Sequence, residues 1–356
     1  MKTKINNRLA VMSILSILFI LPLFGIAKED FTKTNKKEFS IQKDAKLSIN
    51  TEFTDIKAFN WDKDKISIEV SITVSAKNES DAQKKYERAE VKMEGSPTEV
   101  SLYIGLNSNL FKNNSNDEID MEVIIYYPNY IQLDLRNEFG GSLFEDIFGK
   151  VETHTSYGSF EARDLTNDEL ELDSEFGSIS IRRFQAGKVN IAYGNLNIEE
   201  AFRLRLDSEF STNEISKVEE LDLKTAYDKC TIDECGSAKI ESEFSGLRID
   251  QLLNKLEIEI AYGSLKLNSI APEFSYINID SEFTGVKLEF DSPLNFAFKV
   301  SAEMGDFKYP KELAKITHLQ KEMLELDMEG YFGSAKGQSP KVIISIENAS
   351  ASIVTK

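Results

Sequence analysis

From Leu133 onward apolar side chains recur at every second residue in short runs, and the runs themselves recur. Alternation with period two is the mark of a strand with one buried face. The unit is anchored on an aromatic residue preceded by a small or acidic one and usually followed by Gly, Ser or Thr. The aromatics are Phe139, Tyr157, Phe176, Tyr193, Phe210, Tyr227, Phe244, Tyr262 and Phe283, with Met304 continuing the series at spacings of 18, 19, 17, 17, 17, 17, 18, 21 and 21. Six residues before the aromatic stand Leu133, Val151, Leu170, Leu204, Leu221, Leu256, Ile277 and Phe298, and four before it Leu135, Leu172, Val189, Leu206, Leu223, Ile240, Ile258, Ile279 and Val300. The aromatic shares the parity of these columns, so the pattern predicts that it faces the same interior.

A short break follows each aromatic, often at a glycine such as Gly177, Gly194 or Gly263, and then a second alternating pair such as Ile179 and Ile181 or Leu265 and Leu267. A third apolar column, with Leu165, Phe184, Ala201, Val218, Cys235, Leu252 and Ile270, reads as the corner from which the chain returns. A unit this short cannot bury its own apolar face, whereas stacked copies share one continuous core. The prediction is an all-β fold, a parallel β-solenoid (β-helix) of about ten contiguous coils of 17–21 residues. A leucine-rich repeat would need helical or Asn-ladder segments, and an antiparallel meander would not repeat one orientation of the motif. At about 4.8 Å per rung the coils make a rod on the order of 50 Å long.

The residue before the aromatic alternates too: Glu138, Ser156, Glu175, Ala192, Glu209, Ala226, Glu243, Ala261, Glu282. Its parity is outward, and a carboxylate on every second rung is spaced near the screening length, which lowers repulsion. Both ends carry interruptions suited to capping an open strand edge. One early copy of the template, Leu47 to Ile56, precedes an insert. In that insert Ile66–Val74, Val100–Ile104 and Met121–Tyr127 alternate as strands, and Ser80-Asp81-Ala82-Gln83 offers a capping-box start for a helix towards Ala89. At the other end a short helix is expected near Leu313–Glu322 and a strand near Leu324–Tyr331. Val342, Ile344, Ile346, Asn348, Ala351 and Ile353 then fit the template once more. The expected divisions are 1–27 as a signal peptide, 28–135 as first coil plus a small α+β cap insert, 136–309 as the solenoid, and 310–356 as C-terminal cap and final coil.

The first division rests on Lys2, Lys4 and Arg8 preceding a charge-free stretch from Leu9 to Ala27 that closes on Gly25-Ile26-Ala27, the form of a cleaved export signal. Its removal leaves 39 of the 42 basic residues against 60 acidic ones, a net charge of −21 against −18 for the whole chain. Such acidity argues against nucleic acid as a partner, because phosphate backbones are held by clustered Lys and Arg. No segment after residue 27 is apolar enough to span a membrane. The expected localisation is periplasmic, outer-membrane-associated or extracellular.

The pattern resembles a family of exported bacterial proteins described as putative adhesins, repeat-built β-solenoids common in Bacteroidota. The likeness is carried by Thr51-Glu52-Phe53-Thr54 followed by Trp61, by Ile124-Ile125-Tyr126-Tyr127-Pro128, and by Asn137-Glu138-Phe139-Gly140, Ser156-Tyr157-Gly158 and Ser174-Glu175-Phe176-Gly177. It implies the solenoid fold and a surface-binding role, and it carries over no binding residues. Ser211, Asp228, Ser245 and Thr284 depart from it by replacing the bend glycine.

Catalytic chemistry finds little purchase. His154 and His318 are the only histidines, far apart in sequence and in no zinc-ligand or nucleophile–base spacing. Cys230 and Cys235 fall at interior offsets of one coil and read as small buried apolar residues, with a disulfide as the alternative. The alternate-rung glutamates could receive Ca²⁺, yet they supply far fewer than the six to eight oxygens it takes, and a solvated face is the simpler reading. Catalytic, cofactor and metal residues are therefore expected to be none, and the ligand-binding residues are not readable. The function expected is a non-enzymatic envelope solenoid that binds a protein or glycan partner. Its rivals are a carbohydrate-active β-helix lyase or hydrolase, for which the tight coils from Phe176 to Phe244 leave no cleft-forming loops, and a periplasmic sensor or scaffold.

Overall fold

Each alternating run becomes a strand because its apolar side chains can all enter one interior, and each strand finds its hydrogen-bond partners in the copies above and below. A computed structural model describes residues 28–106, 119–339 and 341–356, so the expected export signal lies outside the described residues. Ser178–Ala192 pairs in parallel with Asn195–Glu209, which pairs in turn with Thr212–Ala226, and the series continues through Lys229–Glu243 to Gly246–Ala261. The register advances by one repeat each time, Asn190 to Asp207 to Lys224 to Glu241. The chain is a parallel β-solenoid. Its core is the expected one: Leu172, Val189, Leu206, Leu223, Ile240, Ile258 and Ile279 form a buried column along the axis. The corner column of Phe184, Ala201, Val218 and Cys235 is buried as well, within strands of 15 residues that carry each coil into the next.

The aromatics do not face that interior. Every one of them adopts a left-handed backbone, with φ between 47° and 59° from Phe139 through Phe283. A single left-handed residue turns the chain and inverts the side-chain parity, so the aromatic leaves the inward series and projects from the outside of the bend. Alternation alone cannot show this, because a residue count holds no information on the sign of φ. For a bulky L-residue this conformation costs about 1–2 kcal/mol. Stacking on the rungs above and below offsets it, at roughly 0.5–1.5 kcal/mol per pair.

The residue after the aromatic is constrained by close approach. A Cβ on Gly158 would stand 2.1 Å from the carbonyl oxygen of Gly140. Where the glycine is replaced, the bend survives: Phe210, Tyr227, Phe244 and Phe283 keep φ of 47–58°. The substituting side chain takes up backbone groups instead. Ser211 Oγ donates to Glu209 O at 2.8 Å and accepts from the Gly194 N–H at 3.1 Å. Ser245 and Thr284 repeat this, and an Asp228 carboxylate oxygen accepts from the Ser211 N–H.

The order of coils in space differs from their order in sequence at both ends. The early strand Lys46–Glu52 lies directly on Gln132–Glu138, as if the insert were absent. On its other side it pairs with Glu99–Leu106, while Thr54–Asn60 pairs with Ile119–Tyr127. Part of the insert thus builds one further parallel rung. Lys65–Ala76 and Ala89–Gly95 then close its edges in antiparallel fashion, and Glu29–Ser40 covers Lys65–Ala76. The expected helix is present as Glu79–Tyr86, but its cap is Asn78 and not Ser80, which lies in the first turn: the Asn78 side chain accepts from the Asp81 N–H at 3.0 Å.

At the C-terminus the last coil is not the end of the stack. Val342–Glu347 is inserted between Tyr276–Glu282 and Ala297–Glu303, pairing in parallel with both. Asn348, left-handed at φ 52°, therefore stands between Phe283 and Met304, and Met304 does not continue directly from Phe283. The helix expected near Leu313–Glu322 is also corrected. Ala314–Lys321 is a strand, antiparallel to Glu325–Phe332, which is itself antiparallel to Ala297–Glu303. Ile316, Thr317 and His318 are weak helix formers, and the hairpin supplies what the terminal rung lacks, hydrogen-bond partners for an open edge.

Candidate binding surface

Ten aromatics, Phe53 followed by Phe139 through Phe283, stack as one external ladder. Neighbouring ring centroids are 4.6–5.0 Å apart and the rings are within 2–9° of parallel. The residues remain 43–55% exposed. Because each ring covers its neighbours' faces, what reaches solvent is ring edge and, on alternate rungs, the hydroxyls of Tyr157, Tyr193, Tyr227 and Tyr262. A ladder of this kind offers no open face inside the stack for a sugar ring to lie on. It does offer a continuous ridge with the partly positive edges of the rings outward.

One flank of the ridge is acidic. The outward residues one and three positions before each aromatic line a groove of about 940 Å³ running from the Tyr157 coil to the Phe283 coil. Its carboxylates include Asp173, Glu175, Asp207, Glu209, Glu241, Glu243, Glu259, Asp280 and Glu282, against the single lysine Lys224. Lys224 Nζ lies 2.7 Å from Glu241 and holds that carboxyl below the ordinary glutamate range through their hydrogen bond. Lys188 reaches Asp207 at 2.9 Å. The alternation of glutamate with a small residue holds from Glu138 to Glu282. At the C-terminal end the inserted coil breaks it, placing Glu282, Glu347 and Glu303 on consecutive rungs.

The other flank changes along the rod. Outward residues four positions after the aromatic are Glu161, Ser180, Asn197 and Glu214 in the first half, and Arg248, Lys266 and Lys287 in the second. This asymmetry was open to reading in the sequence, but only after the left-handed bend had defined which residues flank the ridge.

The residues singled out for chemistry are separated. His154 lies on the Tyr157 coil with its Nε2 3.0 Å from Asp173 Oδ2, at the head of the acidic groove. His318 is exposed in the C-terminal hairpin at the far end. Cys230 and Cys235 are both free and buried, and burial pushes their thiols up to about 11 and about 12. Cys230 receives a hydrogen bond from Asn213 Nδ2 at 3.3 Å. Among the described residues no group of three His, Cys, Asp or Glu is placed to hold a metal ion. The densest ion-pair network lies at the corner of the early coils. There Arg163 grips Asp146 through Nε at 2.5 Å and Nη2 at 2.7 Å, and Arg182 and Arg183 reach Asp164 at 2.6 and 3.2 Å. The Arg163 hydrogen bonds hold the Asp146 carboxyl below the usual carboxylate range.

The fold defines the class of protein, a parallel β-solenoid. Residues 45–331 match the family model Toastrack DUF4097, and the chain belongs to that family. Solved structures resemble it at low similarity. One named a putative adhesin from Parabacteroides merdae shares 12% identity at a TM-score of 0.40, covering 71% of this chain and 94% of that one. A putative cell adhesion protein from Clostridium sporogenes shares 13% at 0.20, covering 91% and 100%. A putative adhesin from Parabacteroides distasonis shares 13% at 0.33, covering 66% and 96%. No curated protein matches the chain.

Proposed function

We propose that this chain is an exported, non-enzymatic protein of the cell envelope that works as a rigid binding rod of adhesin type, in the periplasm, at the outer membrane or outside the cell. The observation that carries the reading is the continuity of its outward chemistry. Ladder, acidic column and groove run unbroken over eight consecutive coils, from the one bearing His154 to the one bearing Glu282. A surface repeated every 17 to 21 residues suits an extended partner with repeated cationic or hydroxyl groups, a glycan or a protein face, better than a small substrate held at one point. Among the described residues no helix is long and apolar enough to cross a membrane.

The test is retention of envelope material on immobilised residues 28–356, compared with a groove variant carrying Asp207→Asn, Glu209→Gln, Glu241→Gln and Glu243→Gln. The reading expects the native chain to hold a glycan or protein that the variant releases. Equal retention by both, or turnover of any polysaccharide offered to the purified chain, contradicts it. Protease shaving of intact cells decides between surface and periplasm.

A further inference from the structure

We propose that two copies of this chain associate side by side along their aromatic ladders, about a two-fold axis parallel to the rod. The inference goes beyond the adhesin reading: it gives the ladder to self-association and leaves the acidic groove beside it as the face for another partner.

The first argument is area. An aromatic side chain presents roughly 150–250 Å², so ten residues about half exposed leave on the order of 900 Å² of contiguous aromatic surface in water. The largest apolar patch of an ordinary monomer is about 300–600 Å², and a stable interface buries about 800 Å² per partner. The ridge thus has the area that a dimer needs. Since its spacing is fixed at one rung, it also fits another ridge of the same spacing.

The second argument is charge, and it selects the orientation. A two-fold axis along the rod places the acidic flank of one copy against the opposite flank of the other at the same height. In the Phe244, Tyr262 and Phe283 coils that juxtaposes Glu243 with Arg248, Glu259 with Lys266, and Glu282 with Lys287, each pair occurring twice. Arg248 and Lys287 also hold Asp250 and Glu289 in their own chain, so the cross-pairs extend existing networks. The Phe210 coil works against the arrangement, because Glu214 meets Glu209 there. An antiparallel pairing is worse throughout, setting acidic flank against acidic flank along the whole groove. Rim charges of this kind contribute little affinity when paired, whereas like charges set opposite one another are strongly unfavourable, so they discriminate between orientations and their reversal opposes the pairing.

Light scattering coupled to size exclusion on residues 28–356 at micromolar concentration is expected to give twice the single-chain mass. Phe210→Asn with Phe244→Asn should return the single-chain mass with the strand signal retained, since Asn348 already occupies this position with the same left-handed backbone. If the pair loses its strand signal, Lys266→Glu with Lys287→Glu asks the same question from outside the ladder and should also give single chains. Tyr157→Cys and Tyr262→Cys, made separately, should each cross-link to themselves with a bis-maleimide long enough to span two facing side-chain lengths, because this axis sets every ladder position opposite its own copy while the neighbouring rings hold the two backbones beyond disulfide reach. A native chain of single mass, a dimer that survives the substitutions, or failure of either cysteine variant to cross-link overturns the proposal.

Discussion

The left-handed ladder makes an unusual prediction about two substitutions at one residue. Tyr193 stacks on Phe176 at 4.9 Å and on Phe210 at 5.0 Å, and about half of its surface is buried. Losing two stacks removes about 1–3 kcal/mol, and exposing roughly 100 Å² of buried ring removes about 2.5 kcal/mol more. Tyr193→Ala should therefore cost about 4 kcal/mol. Tyr193→Gly loses the same ring but also sheds the strain of a Cβ at φ 54°, worth about 1–2 kcal/mol before the extra chain entropy of glycine is charged against it. Glycine should come out ahead of alanine by about 0.5–1 kcal/mol. At Leu206, an inward strand position, the order is the ordinary one, with glycine behind alanine by a similar amount. The four variants are compared by urea denaturation of residues 28–356 followed by far-ultraviolet circular dichroism. Should Tyr193→Ala match or exceed Tyr193→Gly in stability, the left-handed bend and the outward ladder are both refuted.

Other expectations follow from close contacts and charges. Gly158→Ala forces the Cβ into the Gly140 carbonyl and should cost about 2–4 kcal/mol in denaturant midpoint, whereas Gly285→Ala, with nothing within 4 Å, should be neutral or slightly stabilising. Both thiols are buried and titrate well above neutrality, so Cys230 and Cys235 should resist a thiol reagent at pH 8 in the native chain and react fully in denaturant; rapid native labelling would contradict their burial. The Arg163 partner lowers the folded-state titration of Asp146 below its ordinary 3.8, so the stability it contributes is present above that value and is lost as pH falls through the depressed one. Asp146→Asn should accordingly be less stable than the native chain at pH 6, with the gap closing towards pH 2. A gap that is unchanged by pH would remove the ion pair from the account.

Parity and period were enough to read the solenoid, its buried columns and its 17-residue register, because burial of Leu206 or Ile240 is a property of the local run. Three things lay beyond that reach. The facing of Phe176 and its kin depends on one backbone sign that the alternation does not encode. The neighbours of Phe283 depend on where the chain goes later, since Asn348 inserts beside it from 65 positions onward. The hairpin at Ala314–Lys321 forms because a terminal rung needs a partner, a requirement set by tertiary context. The binding surface inherits the first of these gaps: the basic run of Arg248, Lys266 and Lys287 gains meaning only once the ridge it flanks is known to point outward.

Engineered disulfides within one chain test the stacking itself most directly. Asn190 and Asp207 are register partners on adjacent rungs, and so are Asn278 and Ile343 at the inserted coil. Adjacent rungs bring Cα atoms to about 5 Å, within disulfide range, while a rung skipped doubles the separation. Asn190→Cys with Asp207→Cys and Asn278→Cys with Ile343→Cys should each close an intrachain bond seen by peptide mass mapping. Asn278→Cys with Lys299→Cys, neighbours only if coils stacked in sequence order, should remain open. Closure of that last pair with failure of the other two would contradict the rung order on which the fold, the ladder and the groove all depend.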